Sequence, residues 1–150
     1  MKIKLIISIS LLIGIQTFAN DNAIDSMRKN INNAKHDTDF YNIYHELGNC
    51  YLQVDPDSSI HYYNKAIKIA INIGGGEGEL REIEILMKKS RSIFIKGDYD
   101  KSLNNLQAAL KKVEELTSEN NSKYIDKANY LKATIIGNIA IIYKEQSNYA

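Results

Sequence analysis

Beyond residue 20 the apolar positions recur at intervals of three and four, the period of an amphipathic helix, and no stretch carries a convincing strand pattern. Ile24, Met27, Ile31 and Ala34 form one such stripe and predict a first helix over about residues 21–35. Asp37-Thr38-Asp39 offers turn and capping chemistry for a second, over about 40–53. Asp55-Pro56 closes that helix and opens a third: Asp55 caps it, and Pro56 suits the first helical position, where its missing N–H costs nothing. The third helix runs to about Ile73 and meets Gly74-Gly75-Gly76-Glu77-Gly78, which reads as a flexible connection. A phosphate-binding loop is excluded there, because no strand precedes the glycines and the lysine of that motif is missing. A fourth helix, about 79–96, ends at Gly97 in the manner of a left-handed C-cap, and Asp98 caps a fifth over about 99–116. After the polar turn Ser118–Ser122, a sixth helix over about 123–146 carries the dense run Ile135-Ile136-Ile139-Ala140-Ile141-Ile142-Tyr143. The fold class is all-α.

The helices pair into repeating hairpins. Leu47-Gly48 and Tyr51, followed by Ser59-Ile60, Tyr63 and Ala66-Ile67, form one unit. Ser90 and Ile93, Gly97-Asp98-Tyr99, Ser102-Leu103, Leu106 and Ala109-Leu110 form a second, and Ile139-Ala140, Tyr143 and Ser147-Asn148-Tyr149 begin a third. Small residues fall where two antiparallel helices approach closest, and large ones where they fill the gap between hairpins. The pattern resembles the tetratricopeptide repeat (TPR) over about residues 40–150, in the extended form found in exported bacterial sensor and regulatory regions. It departs from the family in having Tyr44 in place of the characteristic tryptophan, Lys89 where a leucine is usual, and a period longer than the standard ~34 residues. The resemblance implies antiparallel helical hairpins stacked as an α-solenoid over residues 20–150, with the last repeat incomplete. The isoleucine-rich sixth helix is then left without the second helix of its unit. The expectation is an N-terminal fragment of a longer protein, or a chain that self-associates through that last repeat.

The first 19 residues read as an export signal. Lys2 and Lys4 give a positive n-region, Leu5 to Ile15 an apolar stretch, and Thr17-Phe18-Ala19 a small-residue cleavage site. The apolar stretch is shorter than the ~20 residues of a spanning helix, so cleavage after Ala19 is expected over anchoring, with a periplasmic or other extracytoplasmic location for the product. Cleavage removes two lysines and takes the formal charge from +1 to −1. A nearly neutral chain lacks the basic footprint of a nucleic-acid binder, and no membrane contact is expected of the mature repeat region. With 44% hydrophobic and 25% charged residues the composition is that of one soluble domain, and a single cysteine, Cys50, allows no internal disulfide. Packing alone must stabilise the fold.

The resemblance also implies a function: TPR arrays hold an extended peptide or a partner helix against the first helix of each unit. Carried onto this sequence, the inward positions are Asn42, His45, Asn49 and Gln53 in the first unit, and Glu84, Met87, Arg91 and Phe94 in the second. Asn42, His45 and Asn49 share a helical face; asparagine pairs with a peptide backbone in both senses, and Arg91 suits a carboxylate. Asn49 matches the family's carboxylate clamp, whereas His45 replaces its lysine, which argues against capture of a C-terminal carboxylate. His36, His45 and His61 lack metal-ligand spacing, and no Cys–His or other catalytic dyad is present. The expectation is a non-enzymatic module with no cofactor and no metal, binding a protein or peptide. The alternative is the extracytoplasmic sensory region of a longer signalling protein such as a histidine kinase.

Overall fold

The computed structural model describes residues 22–118 and 123–148. The export signal expected at 1–19 and the turn at 119–122 therefore lie outside the described residues, as does Tyr149. The described chain forms six helices: α1 (22–31), α2 (Asp37–Tyr51), α3 (Pro56–Ile73), α4 (Gly75–Ile95), α5 (Tyr99–Ser118) and α6 (Ile125–Asn148). Each helix from α2 onward packs on the next, and α4 also touches α6 across α5. The result is a row of antiparallel hairpins, α2–α3 and α4–α5, with α6 beginning a third.

The capping chemistry sets the boundaries. Asp39 accepts from the backbone N–H of His36 at 3.1 Å and of Lys35 at 3.2 Å, which starts α2 three residues earlier than the sequence predicts. Asp55 accepts from the N–H groups of Asp57 and Ser58 and caps α3, with Pro56 in its first turn. Gly97 has φ +81, and Asp98 accepts from the Lys101 N–H at 3.1 Å. The glycine run departs from expectation. Only Gly74 and Gly75, with φ +66 and +58, form the corner; Gly76 and Gly78 lie inside α4. Their role is close approach: a Cβ on Gly78 would lie 2.5 Å from the Ala70 carbonyl oxygen, and one on Gly76 2.4 Å from the Tyr124 ring. The turn read at Ser147-Asn148 is also absent, since α6 continues through both residues and the Ser147 hydroxyl bonds back to the Lys144 carbonyl.

The small residues of the repeat sit at the helix crossings. Ser59 Oγ donates to the Gly48 carbonyl at 2.7 Å, joining α3 to α2. Ser90 and Ser102 each donate to the other's carbonyl at 2.9 Å, joining α4 to α5. Buried hydroxyls with partners of this kind let backbones come close without leaving polar atoms unsatisfied. Around them lie three apolar clusters. Ile24, Ile43 and Leu47 dock α1 on α2, and Tyr41, Tyr63, Ala66, Ala70 and Ile85 join α2, α3 and α4. The largest runs from Leu80 and Ile83 through Leu106 and Val113 to Leu131, Ile135 and Ile142. Two repeat positions depart from expectation: Ala140 and Tyr143 are exposed, because none of the described helices covers that side of α6.

Candidate functional site

The eight inward positions belong to α2 and α4, with Gln53 just past the end of α2, and the structure places six of them in two cavities. The first, about 360 Å³, brings Asn42 and His45 of α2 together with Arg81 and Glu84 of α4 and Tyr124 and Lys127 at the start of α6. Its wall is a stack: the Arg81 guanidinium lies 4.6 Å from the centre of the Tyr41 ring and donates to Glu77 at 2.8 Å. The Tyr41 hydroxyl donates to the Arg81 carbonyl at 3.3 Å. Burial, with Glu84 nearby, pushes the Tyr41 phenol well above its usual range, so it stays protonated. His45 is half-buried between the rings of Tyr41 and Tyr63, and its Nε2 is enclosed without a hydrogen-bond partner among the described residues. Burial first, and Lys88 second, hold its imidazole below the ordinary histidine range, so the ring is neutral near pH 7.

The second cavity, about 500 Å³, opens between α4 and α6. Met87 and Phe94 of α4, Leu106 of α5, and Ile141 and Ile142 of α6 line it. Lys88 and Arg91 are its charged residues, and no carboxylate lines it. Arg91 is exposed and makes no ion pair among the described residues. This is an apolar floor with a cationic rim.

Asn49 and Gln53 join neither cavity. Asn49 Oδ1 accepts from the Tyr63 hydroxyl at 2.8 Å and from Lys88 Nζ at 3.5 Å, so this side chain ties α2 to α3 and α4. Gln53 lies exposed beyond the end of α2. Lys88, from the second unit, thus stands beside Asn49 and His45. Sequence reasoning missed Arg81, Lys123, Tyr124 and Lys127. Glu77 and Arg81 carry a signal, an acid and a base four residues apart, but the glycine run around Glu77 reads as a loop from sequence. The approach of Tyr124 to α4 depends on Gly76, which periodicity does not encode.

Among the described residues no three His, Cys, Asp or Glu side chains cluster as metal ligands, and no helix is long and apolar enough to cross a membrane. A family model described as the SusR N-terminal TPR domain matches residues 18–133. The chain belongs to that family. The hairpin row and the small-residue crossings agree with the assignment. No curated protein and no solved structure matches the chain. TPR domains as a class mediate protein–protein interactions, and the two cavities of this TPR domain lie along its row of first helices.

Proposed function

We propose that this TPR domain is a non-catalytic, exported interaction module that holds a peptide or a segment of a partner protein in the α4–α6 groove. The observation that carries the reading is the groove's composition: Met87, Phe94, Ile141 and Ile142 offer apolar contact, and Lys88 and Arg91 offer two cations with no facing carboxylate. An occupant with apolar side chains flanking an aspartate or glutamate satisfies both, the carboxylate pairing with Arg91 through two parallel N–H donors. The neighbouring cavity extends the same row, with Asn42 for backbone contacts. The reading is tested by selecting a displayed random peptide library on the full chain and titrating the selected peptides. Phe94→Ala is expected to weaken them by about tenfold, the scale of a buried aromatic anchor. Peptides that bind the Phe94→Ala protein unchanged would place the site elsewhere.

A second reading, the sensory region of a longer signalling protein such as a histidine kinase, is supported by the family's description as an N-terminal domain. The groove would then hold the ligand, or the partner that presents it. Sequence downstream of codon 150 tests this: transmembrane and kinase motifs would support it, and a stop codon would contradict it.

A further inference from the structure

Leu47, Lys89 and Ile139 hold one position of the repeat, each directly before the small residue of its unit's first helix, Gly48, Ser90 and Ala140. Leu47 is fully buried in a cluster with Ile24 and Ile43, and Ile139 packs on the largest core cluster. Lys89 thus places an ammonium where its two counterparts place aliphatic carbon. It is half-buried and lines a cavity of about 380 Å³ formed by α3, α4 and α5, a volume within the range of small-molecule pockets. Ile60 of α3 and Ile93 of α4 supply apolar wall. Asn64 of α3 and Asn104 of α5 line it too, with exposed side chains that make no hydrogen bond among the described residues.

The other charges at this cavity are matched. Lys96 pairs with Asp57, and Lys101 with Asp98 at 2.6 Å. The Lys89 ammonium has no ion pair or hydrogen bond among the described residues, and burial alone holds it below the ordinary lysine range. A half-buried lysine loses less hydration than the fully buried ones that give up their proton, so Lys89 stays charged at neutral pH. Its Nζ remains open to a ligand, since among the described side chains only His45 Nε2 is enclosed without a partner. A partly desolvated cation with no counter-charge carries a cost that an anion offsets. We propose that this cavity binds a small aliphatic monocarboxylate, with the carboxylate on Lys89 and the hydrocarbon stem against Ile60 and Ile93. One unmatched cation suits one negative charge, and Asp57 and Asp98 disfavour a dianion such as phosphate. The amides of Asn64 and Asn104 have N–H donors for the second carboxylate oxygen. The cavity shares no lining residue with the α4–α6 groove, so the inference is independent of what the groove holds.

The test is a titration of the full chain with sodium butyrate at constant ionic strength, followed through the isoleucine methyl resonances. Saturable shifts at Ile60 and Ile93 are expected. Lys89→Leu, which installs the residue type found at Leu47, should melt no lower than wild type and bind butyrate about tenfold or more weakly, the scale of one charge-assisted contact. Butyramide, the uncharged analogue of the same shape, should bind the wild type weakly or not at all, and inorganic phosphate more weakly than butyrate. Shifts that grow linearly without saturating would overturn the proposal. So would equal binding by Lys89→Leu, equal binding of butyramide or phosphate, or shifts confined to Ile141 and Ile142 of the α4–α6 groove.

Discussion

The Tyr63 ring rests directly on the backbone of Gly48: a Cβ built there would lie 2.3 Å from Tyr63 Cε1 and 2.4 Å from Cδ1. Tyr63 is fully buried and held at its hydroxyl by Asn49, so the ring cannot move aside without breaking that bond. Burial also pushes the phenol up to about 12, which keeps it a hydrogen-bond donor at neutral pH. Gly48→Ala is therefore expected to destabilise the domain by about 2 kcal/mol, the cost of overpacking a close crossing. Chemical denaturation measures it. An unchanged midpoint would show that α2 and α3 do not approach this closely.

The same substitution should have opposite signs at two other helical glycines. At Gly78 an added Cβ meets the Ala70 carbonyl, a backbone atom that yields only if α3 and α4 separate. Gly78→Ala should destabilise, with packing strain outweighing the gain in helix propensity. At Gly137 the added Cβ meets open space, and Gly137→Ala should stabilise the domain by about 0.5–1 kcal/mol. Melting curves of the two variants, each compared with the wild type, test both signs.

Gly97 isolates backbone strain from packing. Its φ is +81, and nothing lies within 4 Å of an added Cβ. Gly97→Val should cost about 1 kcal/mol or more purely because a β-branched residue resists this conformation. Equal stability of the two proteins would mean that the α4–α5 turn has relaxed to another geometry.

His45 gives the domain a pH-dependent component of stability. Burial and Lys88, with Arg81, lower its folded-state pKa below 6.5, outweighing Glu84 and Glu46. Between the folded and unfolded values the unfolded chain binds more protons, so stability is full above about pH 6.5 and falls as pH drops below it. Melting temperatures of wild type and His45→Asn, compared at pH 7.5 and 5.5, read this component. The wild type should lose more on acidification, and equal losses would contradict a buried neutral imidazole.

Much of the fold was legible because its chemistry is local. Three-and-four spacing marks each helix, Asp55-Pro56 and Gly97-Asp98 mark two junctions, and the recurrence of Gly48, Ser59 and Ala66 as Ser90, Ser102 and Ala109 marks the crossings. The glycine run was misread because propensity favours a loop, whereas contacts with Ala70 and Tyr124 draw Gly76 and Gly78 into α4. The site was legible in part. Helical spacing puts Asn42, His45, Met87, Arg91 and Phe94 on inward faces, and they do line cavities. It cannot reveal that Asn49 is taken by Tyr63, or that Tyr124 and Lys127 close the first cavity, since those contacts cross between helices.

The central claim is that the α4–α6 groove selects a carboxylate through Arg91, and charge reversal tests it most directly. A random peptide library would be selected in parallel on the wild-type chain and on Arg91→Glu. The wild type should enrich peptides with an aspartate or glutamate among apolar residues, and Arg91→Glu should enrich lysine or arginine at the same position. Identical selections from the two proteins, or acidic peptides enriched equally by both, would contradict the account.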